Sequence, residues 1–221
     1  MRMRFRNREE AGRMLAERLG HLRGERLVVL GLPRGGVPVA YEVARALGAP
    51  LEVLVARKLG VPWHPELGMG AIAEGGATYV NANIIRYADV TDEDVQAVAA
   101  EELKELERRV RQYRGSRPLP ELKGRTVVVV DDGMATGGTA RAAARAVREH
   151  GPKRLVLAVP VAASETAQAL RREEVDEVVT VEEPTMLGAV GAWYEDFHQV
   201  DDEEVLALLA EAHNLGAAPE P

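Results

Sequence analysis

The residues best placed for chemistry run from Arg125 to Thr139, RTVVVVDDGMATGGT. Four valines, Val127 to Val130, end in Asp131 and Asp132, and a short turn then brings two glycines between two threonines. An unbroken β-branched run predicts a strand buried on both faces, as in parallel sheets. Ala135 to Thr139 then offer successive backbone N–H groups at the start of an Ala/Arg-rich helix reaching His150. Such a helix start holds phosphate by donor geometry and dipole together. Carboxylates beside that phosphate would repel it, so Asp131 and Asp132 are expected to face sugar hydroxyls or a divalent cation. A phosphate cradle joined to a hydroxyl-binding acidic pair describes a sugar-phosphate site.

The elements that position this stretch follow from periodicity. Asn7 with Glu10 predicts a helix start, with Ala11, Met14, Leu15, Leu19 and Leu22 at helical spacing. Leu27–Leu30 reads as a strand, GLPRGG (31–36) as a glycine loop, and Val37–Leu47 as a helix stopped by Gly48. Leu51–Ala56 reads as a second strand ending at Arg57 and Lys58. Residues 59–70, with two prolines and three glycines, read as a long mobile loop, and 71–80 as a small hairpin about Gly75–Gly76. A long amphipathic helix runs from Thr91 to about Arg114, and residues 115–124 form a connector. Leu155–Val159 and Val178–Val181 complete five strands, Ser164 is expected to cap a helix, and Asp201 with Glu204 opens the last one. Five short strands separated mostly by helices predict an open, mainly parallel α/β sheet flanked by helices. Ligands of such sheets bind outside the carboxyl ends of the strands, where GLPRGG, Arg57–Lys58 and DDGMATGGT all fall.

Composition narrows the function. The 221 residues are 46% hydrophobic and carry a net charge of -7, which disfavours a general nucleic-acid or anionic-membrane binder. Cysteine is absent, so thiol nucleophiles, disulfides and cysteine-bound metals are excluded. No apolar run approaches the ~20 residues of a membrane span, and the cytoplasm is the expected location. The five histidines form no metal-binding spacing, and neither serine, Ser116 nor Ser164, lies in G-x-S-x-G. No G-x-x-x-x-G-K phosphate loop occurs. GMGAIA from Gly68 follows a proline-rich loop rather than a strand, so it is rejected as a dinucleotide fingerprint.

DDGMATGGT after a valine strand resembles the phosphoribosyl-diphosphate (PRPP) signature of type I phosphoribosyltransferases, in the form adenine-type members carry. Upstream, Arg34–Gly35, Ala46–Leu47–Gly48, Arg57–Lys58, Gly60 and Pro62 are similar in order to that type. The likeness covers roughly residues 27–160. It implies a single domain with a five-stranded core at about 25–181 and a small hood from about 1–24 and 182–215, residues 216–221 being frayed. It also implies displacement of pyrophosphate from PRPP by a nitrogenous base, purine-like, with Mg2+ carried mainly by PRPP and reached by Asp131 and Asp132. Asp131 and Asp132 would take the ribose hydroxyls. Gly133, Ala135, Thr136, Gly137, Gly138 and Thr139 would hold the 5′-phosphate. Arg34, Gly35, Gly36, Arg57 and Lys58 would hold pyrophosphate.

Residues 59–70 would be the lid over the activated sugar, with Trp63, His64 and Glu66 as its candidates. The run AVGAWYEDF (189–197) resembles the segment that closes over the base, making Val190, Trp193, Tyr194 and Asp196 candidates to face it. Trp193 and Tyr194 are expected to be partly buried there. Hypoxanthine/guanine-type relatives carry an aspartate where this chain has Ala135, which makes those bases poorer candidates. The N-terminal F-x-x-R-x-x-A-G and the late W-Y-x-D-F are similar to those of uncharacterised bacterial phosphoribosyltransferases. The resemblance also implies a homodimer. A non-enzymatic PRPP-sensing regulator on the same scaffold is the alternative.

Overall fold

The computed structural model describes residues 4–216. Helix α1 (Arg8–Arg18) starts at Asn7, whose side chain accepts the Glu10 amide at 2.9 Å, relieving one of the unpaired amides of a first turn. Strand β1 (Leu27–Gly31) leads into α2 (Gly36–Leu47), which closes on Gly48 with φ of 63°. Then come β2 (Leu51–Val53), β3 (Ala56–Val61), β4 (His64–Ala73), β5 (Thr78–Val80), α3 (Ala82–Tyr87) and α4 (Asp92–Arg114). The chain continues through β6 (Thr126–Val130), α5 (Gly138–Glu149), β7 (Arg154–Val161), α6 (Ser164–Glu173), β8 (Glu177–Glu182) and α7 (Asp202–Gly216).

The main sheet has the order β2-β1-β6-β7-β8 with every pairing parallel. This is the expected open α/β architecture, and β6, the valine strand, is its buried centre. Register brings Gly31 beside both Val53 and Val130, and Val130 beside Ala158. The loops leaving β1, β2, β6 and β7 therefore emerge at one sheet edge. Thr91 and Asp94 cap α4 reciprocally, and Asp201 accepts the Glu204 amide at 2.8 Å to open α7.

Three local expectations need correction. Residues 59–70 are not a loop: β3 and β4 form an antiparallel hairpin that turns at Pro62–Trp63 between the paired Val61 and His64. The glycines in it serve backbone approach, since a Cβ at Gly70 would lie 2.2 Å from the Tyr79 carbonyl oxygen and one at Gly60 2.5 Å from that of Pro65. Leu51–Ala56 is split, because the chain leaves the main sheet after Val53 and enters the second sheet at Ala56. Ser164 is the first residue of α6 rather than its cap, and Ala163 stands in the cap position without a side-chain bond. The tail expectation falls, from residue 217 on, outside the described residues, and Gly216 is the last residue of α7.

The hairpin is fixed to the core by a buried ion pair. Glu74 receives Arg114 Nη1 at 2.8 Å and Nη2 at 2.5 Å, and accepts the Val55 amide at 2.7 Å. Arg114 Nη1 also donates to the Val53 carbonyl at 2.9 Å, which locks the end of α4 to the crossover between the two sheets. Removing one partner of a buried pair costs about 3–5 kcal/mol, because the other charge is stranded. Glu74→Ala should lower stability by that amount in denaturant unfolding. Glu107→Ala, whose carboxylate is exposed and 3.9 Å from Arg111, should change it by less than about 1 kcal/mol. Equal effects would show that the pair does not anchor the hairpin.

Candidate functional site

The end of β6 places Asp131 and Asp132 at the sheet edge, half-buried, with the Asp132 amide donating to Asp131 Oδ1 at 2.9 Å. The chain then runs under β7: the Met134 amide donates to the Val161 carbonyl, and the Ala163 amide to that of Met134, each at 2.9 Å. Thr166 Oγ1 donates to the Ala135 carbonyl at 2.6 Å. These bonds fix the loop from behind and leave Ala135 and Thr136 exposed. Gly137, with φ of 74°, turns the chain into α5 at Gly138, a conformation that a residue with a Cβ adopts only under strain. Among the described residues the N–H groups of Ala135, Thr136 and Gly137 meet no acceptor within the chain. Free donors at the start of a 12-residue helix are an anion cradle.

The loop after β1 lies directly on the aspartates. A Cβ at Gly35 would fall 2.1 Å from Asp132 Oδ2, and one at Gly36 3.1 Å from Asp131 Oδ1. The Pro33–Arg34 peptide is cis. Arg34, Gly35 and Asp132 line one cavity of about 450 Å³ together with Arg57. Sequence reasoning missed two arginines that also line it, Arg8 of α1 and Arg109 of α4. Arg8 is buried; its Nε donates to Asp132 Oδ2 at 2.9 Å and its Nη1 to the His198 carbonyl at 2.8 Å. The Phe197 ring lies 4.0 Å beneath that guanidinium. The N-terminal F-x-x-R pattern contains Arg8, but nothing in it indicates a partner 124 residues away.

Comparison with known proteins decides the family. Residues 6–192 match the phosphoribosyl transferase domain. The chain belongs to the phosphoribosyltransferase family. It is 48% identical over 209 residues to a Mycobacterium tuberculosis protein provisionally named a phosphoribosyl transferase, a match covering 95% of this chain and 47% of that protein. The chain thus spans about half the length of the curated relatives it matches. The solved structure of TT1426 from Thermus thermophilus is 48% identical, with a TM-score of 0.78 over 95% of this chain and 99% of that one. The AQ2163 protein of Aquifex aeolicus, at 18% identity and a TM-score of 0.50 over 83% of this chain and 78% of its own, shares the fold.

Within this member of the family the remaining candidates divide. Lys58 is exposed, 4.0 Å from Glu66, and the two line a groove of about 620 Å³ between the β3–β4 hairpin and α4. Arg57 lines both that groove and the cavity, and its Nε donates to Glu102 at 2.7 Å. Trp63 and His64 stand exposed at the hairpin turn and line neither space. Trp193 is buried, its indole N–H donating to the Leu187 carbonyl at 3.0 Å. Tyr194 is buried too, and its hydroxyl donates to the Asp132 carbonyl at 2.5 Å. Both rings are buried, as the sequence predicts. Val190 covers Gly133, where a Cβ would meet Val190 Cγ1 at 2.3 Å. Asp196 is exposed and accepts the His198 amide at 3.1 Å. The aromatic that does line the cavity is Phe197.

Burial, reinforced by the charge of Asp132, pushes the Asp131 carboxyl well above the usual range. Burial also raises Asp132, with Arg8 opposing. An acid raised by folding binds protons that the unfolded chain has released. Stability from Asp131 is therefore present below the ordinary carboxylate value and is lost as pH rises from there through its folded value. Measured without divalent cation, Asp131→Asn should remove that loss and leave the melting temperature equal or higher at neutral pH. Asp132→Asn leaves buried Arg8 without its counter-charge and should cost about 3–5 kcal/mol. A lower melting temperature for Asp131→Asn than for Asp132→Asn would reverse the assignment of which carboxylate is held by its surroundings.

Proposed function

We propose that the protein transfers the 5-phosphoribosyl group of PRPP to a nitrogenous base and releases pyrophosphate. The carrying observation is the packing of the Arg34–Gly35 turn on Asp132, three residues ahead of the free amides of residues 135–137. That juxtaposition offers donors for a 5′-phosphate, acceptors for ribose hydroxyls and cations for a diphosphate. On this reading a base nitrogen forms a bond to C1 of the ribose as the bond from C1 to the diphosphate oxygen breaks. The electron pair of that bond leaves with the diphosphate. Pre-placed guanidiniums stabilise the growing charge, and the loss of one such donor typically costs ~2.7–4 kcal/mol.

Among the described residues no cluster of three or more His, Asp or Glu side chains could hold a metal. Asp131 Oδ1 and Asp132 Oδ2 are already engaged by an amide and a guanidinium. The donor set fits a magnesium ion that arrives on PRPP and uses these carboxylates at most as additional ligands. Bound that way, the ion would neutralise part of the diphosphate charge. A purine-like acceptor is favoured by the adenine-type form of the signature, and the Ala135 methyl supplies no proton acceptor.

Purified protein given PRPP, Mg2+ and a panel of purine and pyrimidine bases should release pyrophosphate with at least one of them. PRPP binding without turnover on any base would instead support a PRPP-responsive regulator. Gly35→Ala should weaken PRPP binding by about 1–3 kcal/mol, because the added methyl must displace Asp132. Unchanged affinity in that variant would dissociate the turn from the ligand.

A further inference from the structure

Three of the four cavity arginines are organised by one helix to which the sequence reading gave no role. Glu102, Glu105, Arg109 and Gln112 of α4 recur three or four residues apart, and Tyr113 lies four beyond Arg109, which groups them on one side of the helix. Glu102 receives Arg57 Nε at 2.7 Å, and Glu105 receives Arg109 Nε at 2.8 Å. The Tyr113 hydroxyl donates to Asp202 Oδ1 at 2.5 Å and Gln112 Nε2 to its Oδ2 at 2.9 Å, while Asp202 lies 3.9 Å from Arg34 Nη1. Arg57, Arg109 and Arg34 thus each line the cavity with one carboxylate beside them, two from α4 and one held by it. Holding a guanidinium by such a partner fixes the orientation of its remaining N–H groups before a ligand arrives.

Arg109 is the informative member. It lines the cavity with Arg8, Arg34, Arg57 and Asp132. Its neighbour Arg108 donates to the same Glu105, with Nε at 2.7 Å, but is exposed and does not line the cavity. An acidic chain that turns four guanidiniums toward one carboxylate-bearing cavity has built a site for a multiply charged anion. We infer that Arg109 binds the diphosphate group of PRPP and of released pyrophosphate, and that α4 is the frame holding the leaving-group cations. The inference deepens the proposed function and rests on it. It adds a residue outside the DDGMATGGT signature, the Arg34–Gly35 loop and Arg57–Lys58.

The test uses calorimetric titration of the full chain with pyrophosphate, PRPP and ribose 5-phosphate. Arg109→Gln should weaken pyrophosphate and PRPP binding about ten- to a hundredfold, the range for losing a hydrogen bond to a charged group. Binding of ribose 5-phosphate, which carries no diphosphate, should be unchanged. Arg108→Gln should bind all three as the unaltered chain does, although it too removes one positive charge, two bonds to Glu105 and one to Gln112. Arg109→Lys, which keeps the charge but not the fork, should fall between the unaltered chain and Arg109→Gln. Unaltered diphosphate affinity in Arg109→Gln, or an equal loss in Arg108→Gln, would overturn the inference while leaving the phosphoribosyl reading intact. If the unaltered chain binds neither PRPP nor pyrophosphate, the phosphoribosyl reading falls and takes this inference with it.

Discussion

Two carboxylates on consecutive residues at the end of a buried strand are an electrostatic problem before they are a site. Transfer of charge from water into a poorly polarisable surrounding is costly, and the second charge adds repulsion to the first. The fold meets this with one guanidinium, that of Arg8, set on Asp132 from the first helix. Much else follows from bringing Arg8 there. Asn7 starts α1 one residue before it. At Gly12 the helix lies so close to α2 that a Cβ would meet the Val39 carbonyl oxygen and Glu42 Cβ at 2.8 Å. Phe5 pairs with Tyr194 as a parallel bridge, and Phe197 lies under the guanidinium, so the C-terminal segment closes over the same pair. The terminal segments are thus joined to each other through the residue that makes the acidic pair tolerable.

The same logic governs the opposite wall of the cavity. A cluster of arginines is self-repelling unless each is matched, and α4 supplies the matching carboxylates directly or through Asp202. An ordinary surface ion pair contributes about 0–1 kcal/mol, so these pairs are poor anchors for a helix. Their value lies in fixing donor direction. The stability of this wall comes from elsewhere, chiefly the buried Arg114–Glu74 pair and the apolar residues Leu106 and Tyr113. Anchoring and cavity-facing functions are thus divided along one helix, with Tyr113 serving both through its buried ring and its hydroxyl on Asp202.

What the sequence could reveal tracks the range of the interaction. Caps at Asn7, Thr91 and Asp201 act over three residues and were legible, as was the valine strand, whose burial is written in its own composition. The β3–β4 hairpin is hidden in the sequence because glycine and proline ordinarily signal a loop. Here the glycines admit neighbouring backbone, and that neighbour, Tyr79, lies well down the chain from Gly70. Arg8 and Arg109 were illegible for a related reason. In a chain where 29% of residues are charged, Arg8 has Glu9 and Glu10 beside it and Arg109 has Glu105 one turn back, so neither announces a distant duty. Ser164 shows the reverse error, a residue type suited to capping at a helix start that uses none.

The placement of Phe197 bears on how an acceptor would be recognised. One face of its ring is taken by Arg8, and Tyr194 packs against it with ring centroids 5.0 Å apart. A Cβ at Gly191 would lie 2.8 Å from its ring, so the backbone of the Val190–Trp193 turn closes on it as well. A ring held on these sides orients the guanidinium above it, while 38% of Phe197 stays exposed. Aromatic support of Arg8 keeps that charge in position where a side chain in water would be free to swing. On the proposed reading, an acceptor would therefore be selected by polar groups more than by aromatic stacking on Phe197. Polar selection of that kind discriminates by the pattern of ring nitrogens and exocyclic groups, because an unmatched buried donor or acceptor is penalised more heavily than a missing methylene.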